Sequence, residues 1–356
     1  MTTALAVLFT ISLIILVHEW GHFFVARSVG VKVERFSIGF GPRLFGITRK
    51  GTEYAVCLFP LGGYVKMAGD ETLGQPTHPW EYRARPLGQR MRIILAGPLV
   101  NYLLGYILFV LVFTLGTPVF TSKVGEVTQG SPAQSVGLKS GDRILSINGE
   151  RVETWEGVAR RIHSQTSLIH LEVERDGSVV SFSVYPNVEE QSNLLGGKVR
   201  VGRIGIKASD EFETFRYPFF QAIVKAGERI WFLTVVTLQT FWYIASGSLP
   251  IKESLTGPIG IFSLTSAVAE QGLLPLLHLV AVLSTSLGLF NLFPVPVLDG
   301  GHLLFLFIEK LRGSPISLRV QEAMTKVGLV LLLLLLVVVT YNDLIRYGFV
   351  GRILKW

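Results

Sequence analysis

Four long apolar runs dominate the chain and predict membrane-spanning helices. They cover residues 4–26, 93–117, 273–298 and 325–345. Each is close to the roughly 20 residues that an α-helix needs to cross a bilayer. The pattern therefore predicts a polytopic α-helical membrane protein with four transmembrane helices.

A fifth apolar stretch, residues 230–251, is long enough to span but carries Gln239, several Thr and Ser residues and many aromatic side chains. The amphipathic stretch RYPFFQAIVKAGER precedes it. This composition favours a pair of helices that lie in the membrane interface. We therefore expect amphipathic, interfacial helices in 208–272, and deep insertion of 230–251 stays open.

Residues 120–207 alternate between apolar and polar positions like a small β-rich domain. SPAQSVGLKSGDRILSINGERV predicts a short helix, a strand and a hairpin turn at Asn-Gly. Thr154 is placed to cap the helix that begins in TWEGVARRIHS, and LIHLEVERDGSVVSFSVYP predicts a hairpin across Asp-Gly. The order resembles a PDZ domain, which binds extended peptides by adding a strand to a sheet edge.

Composition agrees with a membrane protein. The 356 residues are 49% hydrophobic and 17% charged, with a mean hydropathy of +0.47, which is too apolar for an ordinary soluble domain. The single cysteine, Cys57, excludes an intramolecular disulfide. The net charge of +7 is spread over loops, so we expect no nucleic-acid partner.

Loop charge predicts the orientation in the membrane. Residues 27–92 hold eleven Lys or Arg against five acids, and the loop 309–326 is also basic. By the positive-inside rule both loops are cytoplasmic, and the N-terminus and residues from about 120 to 270 lie outside. We also expect the first helix to be retained, since it lacks the basic start and the cleavage site of a signal peptide.

The chemistry is concentrated in the first span, which reads LVHEWGHFF over residues 16–24. His18 and His22 are one helical turn apart, so both imidazoles project from the same face. H-E-x-x-H at this spacing holds a divalent metal on the two histidines, with Glu19 beside it as general base. Two helix-packing histidines are the alternative, but an unpaired glutamate at membrane depth is costly.

A catalytic zinc site needs a third protein ligand. His278, Asp299 and His302 are the candidates in the later spans. Asp299 matches the depth of His18 if the first and third spans run in the same direction, which favours four crossings over five. Pro294 and Pro296 break the helix before Asp299, and irregular backbone in a membrane is tolerated where it lines a cavity.

Three functions are weighed on these residues. A zinc metalloendopeptidase uses the complete H-E-x-x-H. A membrane metal transporter would need cation ligands at several depths, and the other spans offer almost none. A non-catalytic scaffold that displays the PDZ domain has no use for the complete motif.

Several motifs together resemble the site-2 protease family of intramembrane zinc metalloproteases. H-E-W-G-H lies in the first span, GPLVN in the second, a PDZ-like domain in the middle and NLFPVPVLDG in the third span. GFGPRLF and LFPLGGYVKM resemble the family's membrane-associated β-hairpin, and LTGPIGIFSLTSAV resembles the segment before the third span. The resemblance extends over nearly the whole chain.

The resemblance implies one Zn²⁺ per chain, held by His18, His22 and Asp299, with Glu19 as the catalytic residue. It implies substrate handling by Asn291, Pro294 and Pro296, and Asn101 is a weaker assignment. Implied substrates are transmembrane segments, such as those of anti-sigma factors or remnant signal peptides. The implied location is the inner membrane of a bacterium, with the PDZ domain periplasmic and the active site toward the cytoplasm.

The hairpin offers a place for the substrate backbone. A substrate helix must unwind to reach the metal, and the exposed backbone groups then need partners that lipid lacks. We expect residues 58–67 to supply an edge strand, with Gly62 and Gly63 permitting close approach beside Tyr64. The predicted domains are thus 1–119 and 273–356 for the two halves of the protease core, with 120–207 and 208–272 between them.

Overall fold

The structure is a computed structural model, which describes residues 2–70, 76–192, 198–250 and 256–346. Parts of the predicted loop 27–92, of the β-rich domain 120–207 and of the segment 208–272 lie outside these residues. The α-helices are α1 (Thr2–Ser28), α2 (Leu87–Leu115), α3 (Pro132–Ser135), α4 (Trp155–His163), α5 (Phe219–Ala245), α6 (Pro258–Glu270), α7 (Leu273–Asn291), α8 (Asp299–Arg312) and α9 (Leu318–Arg346). The strands are β1 (Val33–Arg49), β2 (Thr52–Met67), β3 (Thr117–Phe120), β4 (Val124–Val127), β5 (Arg143–Ile147), β6 (Glu150–Arg151), β7 (Ile169–Arg175), β8 (Ser178–Val184), β9 (Asn187–Ser192), β10 (Lys198–Arg203), β11 (Ile206–Ala208) and β12 (Phe212–Phe215).

The chain forms two compact units. One contains residues 1–112, 219–238 and 249–356, and the other contains 113–218 and 239–248. Among the described residues, four helices of the first unit are long and apolar enough to cross a membrane: α1, α2, α7 and α9. They coincide with the four predicted runs.

The third predicted span, 273–298, is shorter in the structure. Helix α7 ends at Asn291, and α8 begins at Asp299 after a non-helical segment. Pro294 and Pro296 lie in that segment, where proline removes the backbone donors that a continuing helix would need. The helix and the loop together therefore occupy the predicted run.

The predicted interfacial helix pair within 217–251 is instead one continuous helix, α5. No proline or glycine pair interrupts residues 219–245 to separate two helices. Within the first unit, α5 packs along α2. The Tyr102 hydroxyl lies 3.2 Å from Thr234 Oγ1, and the Tyr106 hydroxyl donates to the Ile223 carbonyl at 3.2 Å.

Strands β1 and β2 form a doubled hairpin. Phe36 pairs with Val65 on one side and with Tyr54 on the other, while Ile47 pairs with Tyr54 further along. The order across the sheet is therefore 63–67, 33–38, 52–56 and 45–49. Among the described residues no further strand pairs with 63–67, so this segment is an edge strand.

A small apolar cluster fixes this sheet to the helices. Ala26 at the end of α1, Val33 of β1 and Ile93 of α2 are all buried in it. Val65 and Met67 of the edge strand pack against the same cluster. The edge strand consequently lies beside the end of α1 that follows the H-E-x-x-H motif.

The second unit is β-rich, as the alternation in 120–207 predicts. Its main sheet has the strand order β6–β5–β7–β8, and β4 pairs with β11, β9 with β10, and β3 with β12. Both predicted hairpin turns form with positive φ at their central residues, Asn148-Gly149 and Asp176-Gly177. Thr154 Oγ1 accepts from the Gly157 backbone N–H and caps α4 as predicted. A buried apolar core that includes Ile144, Val158 and Leu171 joins the sheet to α4.

Candidate metal centre

The two histidines of α1 meet one carboxylate of α8. His18 Nε2 and His22 Nε2 lie 3.0 Å apart, and Asp299 Oδ2 lies 3.1 Å from the first and 3.4 Å from the second. Both histidines are buried. The structure therefore brings the three predicted ligands to one point.

The donor set fits a bound cation. Asp299 Oδ2 is buried without a hydrogen-bond partner, although two imidazole nitrogens lie within 3.4 Å of it. The three ligand atoms lie within 4.8 Å of one another. Two neutral imidazole nitrogens and a carboxylate oxygen are all lone-pair donors, so a shared cation accounts for their approach. Two nitrogens and one oxygen, with room for a fourth ligand, suit zinc.

Helix α2 orients both imidazoles from behind. His22 Nδ1 donates to the Ile93 carbonyl at 2.8 Å, which leaves Nε2 free to bind a metal. The Asn101 side-chain amide lies 3.3 Å from His18 Nδ1. The atom facing His18 is Asn101 Nδ2, and Asn101 Oδ1 has no hydrogen-bond partner. An amide turned with its oxygen toward Nδ1–H would hold His18 in the same tautomer.

Glycines allow the backbones to approach. A β-carbon at Gly97 would overlap His22 Nε2, and one at Gly21 would lie 2.6 Å from the Ala96 carbonyl oxygen. On the other side, β-carbons at Gly300 and Gly301 would overlap carbonyl oxygens of the segment 292–298. Asp299 is therefore carried by a first turn of α8 that is wound tightly against the proline-containing segment.

A cavity of about 1420 Å³ opens beside the three ligands. Glu19 lines it, next to the edge strand, and the Val65 backbone N–H donates toward the Glu19 carboxylate. Tyr64, Asn291 and His302 line the same cavity. The candidate general base and two predicted substrate-handling residues thus face the space in front of the ligands.

Other predicted residues do not line this cavity. Pro294 and Pro296 line a separate apolar pocket against α9. A β-carbon at Gly62 would overlap the Phe40 ring, and one at Gly63 would lie 2.7 Å from the Ser37 carbonyl oxygen and 3.6 Å from Glu19 Cγ. His278 packs edge-on to Phe109, with ring centroids 5.3 Å apart, and is not among the three convergent ligands.

The sequence reasoning missed how much α2 contributes. Ile93, Gly97 and Asn101 recur at helical spacing, and all three contact the histidines. The GPLVN motif was a visible signal, since Gly97 and Asn101 are its first and last residues. Ile93 acts through its backbone carbonyl, so its residue type does not indicate a contact with His22.

The comparisons with known proteins agree with this geometry. The sequence profile of Peptidase family M50 matches residues 6–335. The chain belongs to peptidase family M50. A relative named "Putative zinc metalloprotease" from Rhizobium meliloti is 35% identical, and the match covers 95% of this chain and 95% of the relative. A relative named Protease RseP from Yersinia pestis is 31% identical over 96% of this chain and 98% of the relative.

The M50 membership confirms the predicted resemblance to the site-2 proteases, and the match to the RseP relative shows similarity to the regulator of sigma-E protease. The protein is an intramembrane zinc metalloprotease, and the transporter and scaffold alternatives are not favoured. Among solved structures, the PDZ domain of an SdrC-like protein from Listeria innocua is 19% identical. That match covers 26% of this chain and 96% of the other, with a TM-score of 0.20.

Proposed function

We propose that this M50 protease cuts transmembrane segments of membrane proteins at a zinc ion held by His18, His22 and Asp299, with Glu19 as general base. The observation that carries the proposal is the approach of Asp299 Oδ2 to both imidazole nitrogens, at 3.1 and 3.4 Å, beside a cavity that Glu19 lines. Residues from the start and the end of the chain therefore complete one site.

The chemistry follows from the positions of the side chains. Zinc in such a site supplies Lewis-acid activation of a water molecule and of the peptide carbonyl. Glu19 takes the proton of the attacking water and returns it to the leaving amide nitrogen as the C–N bond breaks. Asn291, on the wall of the same cavity, donates its side-chain amide to the carbonyl oxygen or holds the extended substrate.

The edge strand 63–67 offers hydrogen bonds to an unwound substrate. Tyr64, Val65 and Met67 line the cavity, and the strand lacks a pairing partner on one edge among the described residues. A substrate segment that adds to this edge satisfies its own backbone groups where lipid cannot. Gly62 and Gly63 admit close packing at this place, and neither lines the cavity itself.

The orientation follows from ligand depth and loop charge. Four crossings by α1, α2, α7 and α9, with α5 not crossing, are consistent with His18 and Asp299 lying at one depth, and their contact supports this arrangement. The basic loops then put the active site toward the cytoplasm and the N-terminus and the β-rich domain in the periplasm of a bacterial inner membrane. That domain, 120–207, is proposed to be a PDZ domain that binds a peptide or protein segment.

The decisive experiment separates metal binding from proton transfer. Glu19→Gln removes the base but leaves all three ligands, so the purified full-length variant should retain zinc and fail to cleave a co-expressed membrane substrate. His22→Ala should lose both zinc and cleavage. Glu322→Gln, an exposed acid at the start of α9, should behave like the wild type.

Full cleavage by Glu19→Gln would refute the catalytic assignment. Zinc retention by His22→Ala would refute the ligand set. Membrane fragments that accumulate in cells carrying Glu19→Gln, and that disappear with the wild type, would identify the substrates.

A further inference from the structure

A partly buried ion pair joins α2 to α8 at a distance from the metal ligands. Arg90 Nη1 donates to Glu309 Oε2 at 3.1 Å, and Arg90 Nη2 donates to Glu309 Oε1. Arg90 Nε donates to the Arg85 carbonyl at 3.1 Å, so each of the three guanidinium nitrogens donates one hydrogen bond. The two side chains are only 13% and 15% exposed. Bidentate pairs of this kind fix direction as well as distance.

Neither helix gains stability from its own member of the pair. Arg90 lies in the first turn of α2, where the helix dipole disfavours a cation, and Glu309 lies in the last turn of α8, where it disfavours an anion. The other charges in that last turn, Lys310 and Arg312, have the favoured sign. The helix dipoles therefore do not account for the ion pair, and its role lies in the connection that it makes between α2 and α8.

The pair continues the face of α8 that begins with the metal ligand. Asp299, His302, Phe305 and Glu309 recur every three or four residues, and all line the same cavity. At 1.5 Å per residue, Glu309 lies roughly 15 Å along the helix from Asp299. One face of α8 thus carries a metal ligand at one end and an ion pair at the other.

The side of α2 that faces this part of the site likewise carries one member of the ion pair and, further along, residues that contact the histidines. Arg90, Ile93, Gly97 and Asn101 share one face by their spacing, and the last three contact the histidines. Helix α2 therefore carries both the supports of His18 and His22 and the anchor of Glu309. The position of α8 against α2 decides whether Asp299 reaches the histidines.

The three ligand atoms attach α8 firmly only through the metal, because each binds the cation with a lone pair. Without the metal, their connection rests on the approach of Asp299 Oδ2 to the two imidazole nitrogens at 3.1 and 3.4 Å. A second attachment is needed to keep Asp299 near the histidines while metal enters or leaves. The Arg90–Glu309 ion pair attaches α8 to α2 without involving the metal.

We propose that Arg90 and Glu309 are positioning residues, a clamp that sets α8 against α2 so that Asp299 stays at ligating distance and zinc is retained. The proposal rests on the zinc ligands of the proposed function. It adds a requirement about residues that are not zinc ligands.

The test measures how fast a chromogenic chelator removes zinc from the purified full-length protein in detergent. Glu309→Gln and Arg90→Gln should each lose zinc about tenfold faster than the wild type, the size of effect seen when a support of a metal ligand is removed. Glu322→Gln is the matched control and should lose zinc at the wild-type rate. Wild-type zinc retention in folded Glu309→Gln would overturn the clamp.

Two double variants separate positioning from general stability. Arg90→Leu with Glu309→Met replaces the pair by apolar groups, which keeps such sites folded but removes the directional tie. We expect an unchanged thermal unfolding temperature and faster zinc loss. Wild-type zinc retention in this variant would overturn the proposal.

Arg90→Glu with Glu309→Arg rebuilds the pair with charges that also suit both helix dipoles. It should retain zinc like the wild type, and zinc loss as fast as in the single variants would overturn the proposal. If the single variants do not fold, these double variants decide alone. His22→Ala tests the zinc ligands separately from the clamp. If this variant keeps zinc, the ligand assignment of the proposed function fails. If only the clamp proposal fails, His22→Ala still loses zinc.

Discussion

Gly97 of α2 lies directly behind His22 of α1, and no β-carbon fits between them. A β-carbon at position 97 would overlap His22 Nε2, would lie 2.6 Å from His22 Cε1 and would lie 2.8 Å from His18 Cε1. Packed interiors accommodate such overlap only by moving the neighbours. Here the neighbours are the two imidazoles that are proposed to hold the metal.

We therefore predict that Gly97→Ala abolishes cleavage by displacing the histidines, although it adds one methyl group to a helix. Zinc content of the purified variant should fall with the activity. Gly88→Ala is the matched control, because it lies on the same helix with no atom within 4 Å of its β-carbon position. Normal zinc content and cleavage in Gly97→Ala would contradict the observed packing.

Asn101 should tune zinc affinity without binding zinc. Asn101→Ala removes the amide that lies 3.3 Å from His18 Nδ1, and we expect zinc affinity to fall by about 10- to 100-fold. Excess zinc should restore much of the cleavage activity. Ser284→Ala, which removes a donor to the Asn101 backbone carbonyl only, should have the smaller effect. Equal zinc affinities for Asn101→Ala and the wild type would exclude the role.

The β-rich unit contains a buried ion pair that predicts a pH dependence. Burial alone would raise the pKa of Asp142, but hydrogen bonds from Arg175 and from the Lys139 backbone N–H hold it below its ordinary value of 3.8. A lowered folded-state pKa contributes stability that is fully present above the unfolded value and is lost as pH falls through the folded value. Its loss is therefore confined to pH below about 4.

Arg175→Met leaves the Asp142 carboxylate, which is 1% exposed, without its partner. At neutral pH we expect this unit to lose about 3 kcal/mol of unfolding free energy. The difference from the wild type should shrink as Asp142 becomes protonated. Hydrogen exchange of β5 and β7 amides in the full-length protein, followed from neutral pH to pH below about 4, measures it. A difference independent of pH would indicate that packing of the Arg175 side chain dominates.

Asp343 of α9 accepts hydrogen bonds from two backbone N–H groups at the start of α6, Gly257 at 3.2 Å and Gly260 at 2.8 Å. Asp343→Ala leaves both donors buried without a partner, at a cost of about 2 kcal/mol or more. The expected result is faster hydrogen exchange at the first turn of α6. Asp343→Asn keeps one acceptor and should show an intermediate rate, so equal rates in all three proteins would contradict the contact.

The sequence correctly predicted the helices and turns whose formation depends on residues that are close together in the chain. Apolar runs of the required length became α1, α2, α7 and α9. The turns at Asn148-Gly149 and Asp176-Gly177 formed because few other residues tolerate positive φ. The prediction of two separate helices in this segment was wrong, because composition does not indicate whether two apolar parts form one continuous helix. Their interfacial placement stays a prediction.

In the candidate site, too, the sequence predicts contacts within one helix but not contacts between distant parts of the chain. The spacing of His18, Glu19 and His22 places two candidate ligands and a candidate base on one helix. The sequence alone determines that much, because helical geometry is a property of neighbouring residues. Only the tertiary structure decided that Asp299 meets the histidines, that Gly97 must lack a side chain and that Arg90 reaches Glu309. These contacts join residues far apart in the chain, and their distances depend on how packed helices sit against one another, which periodicity does not encode.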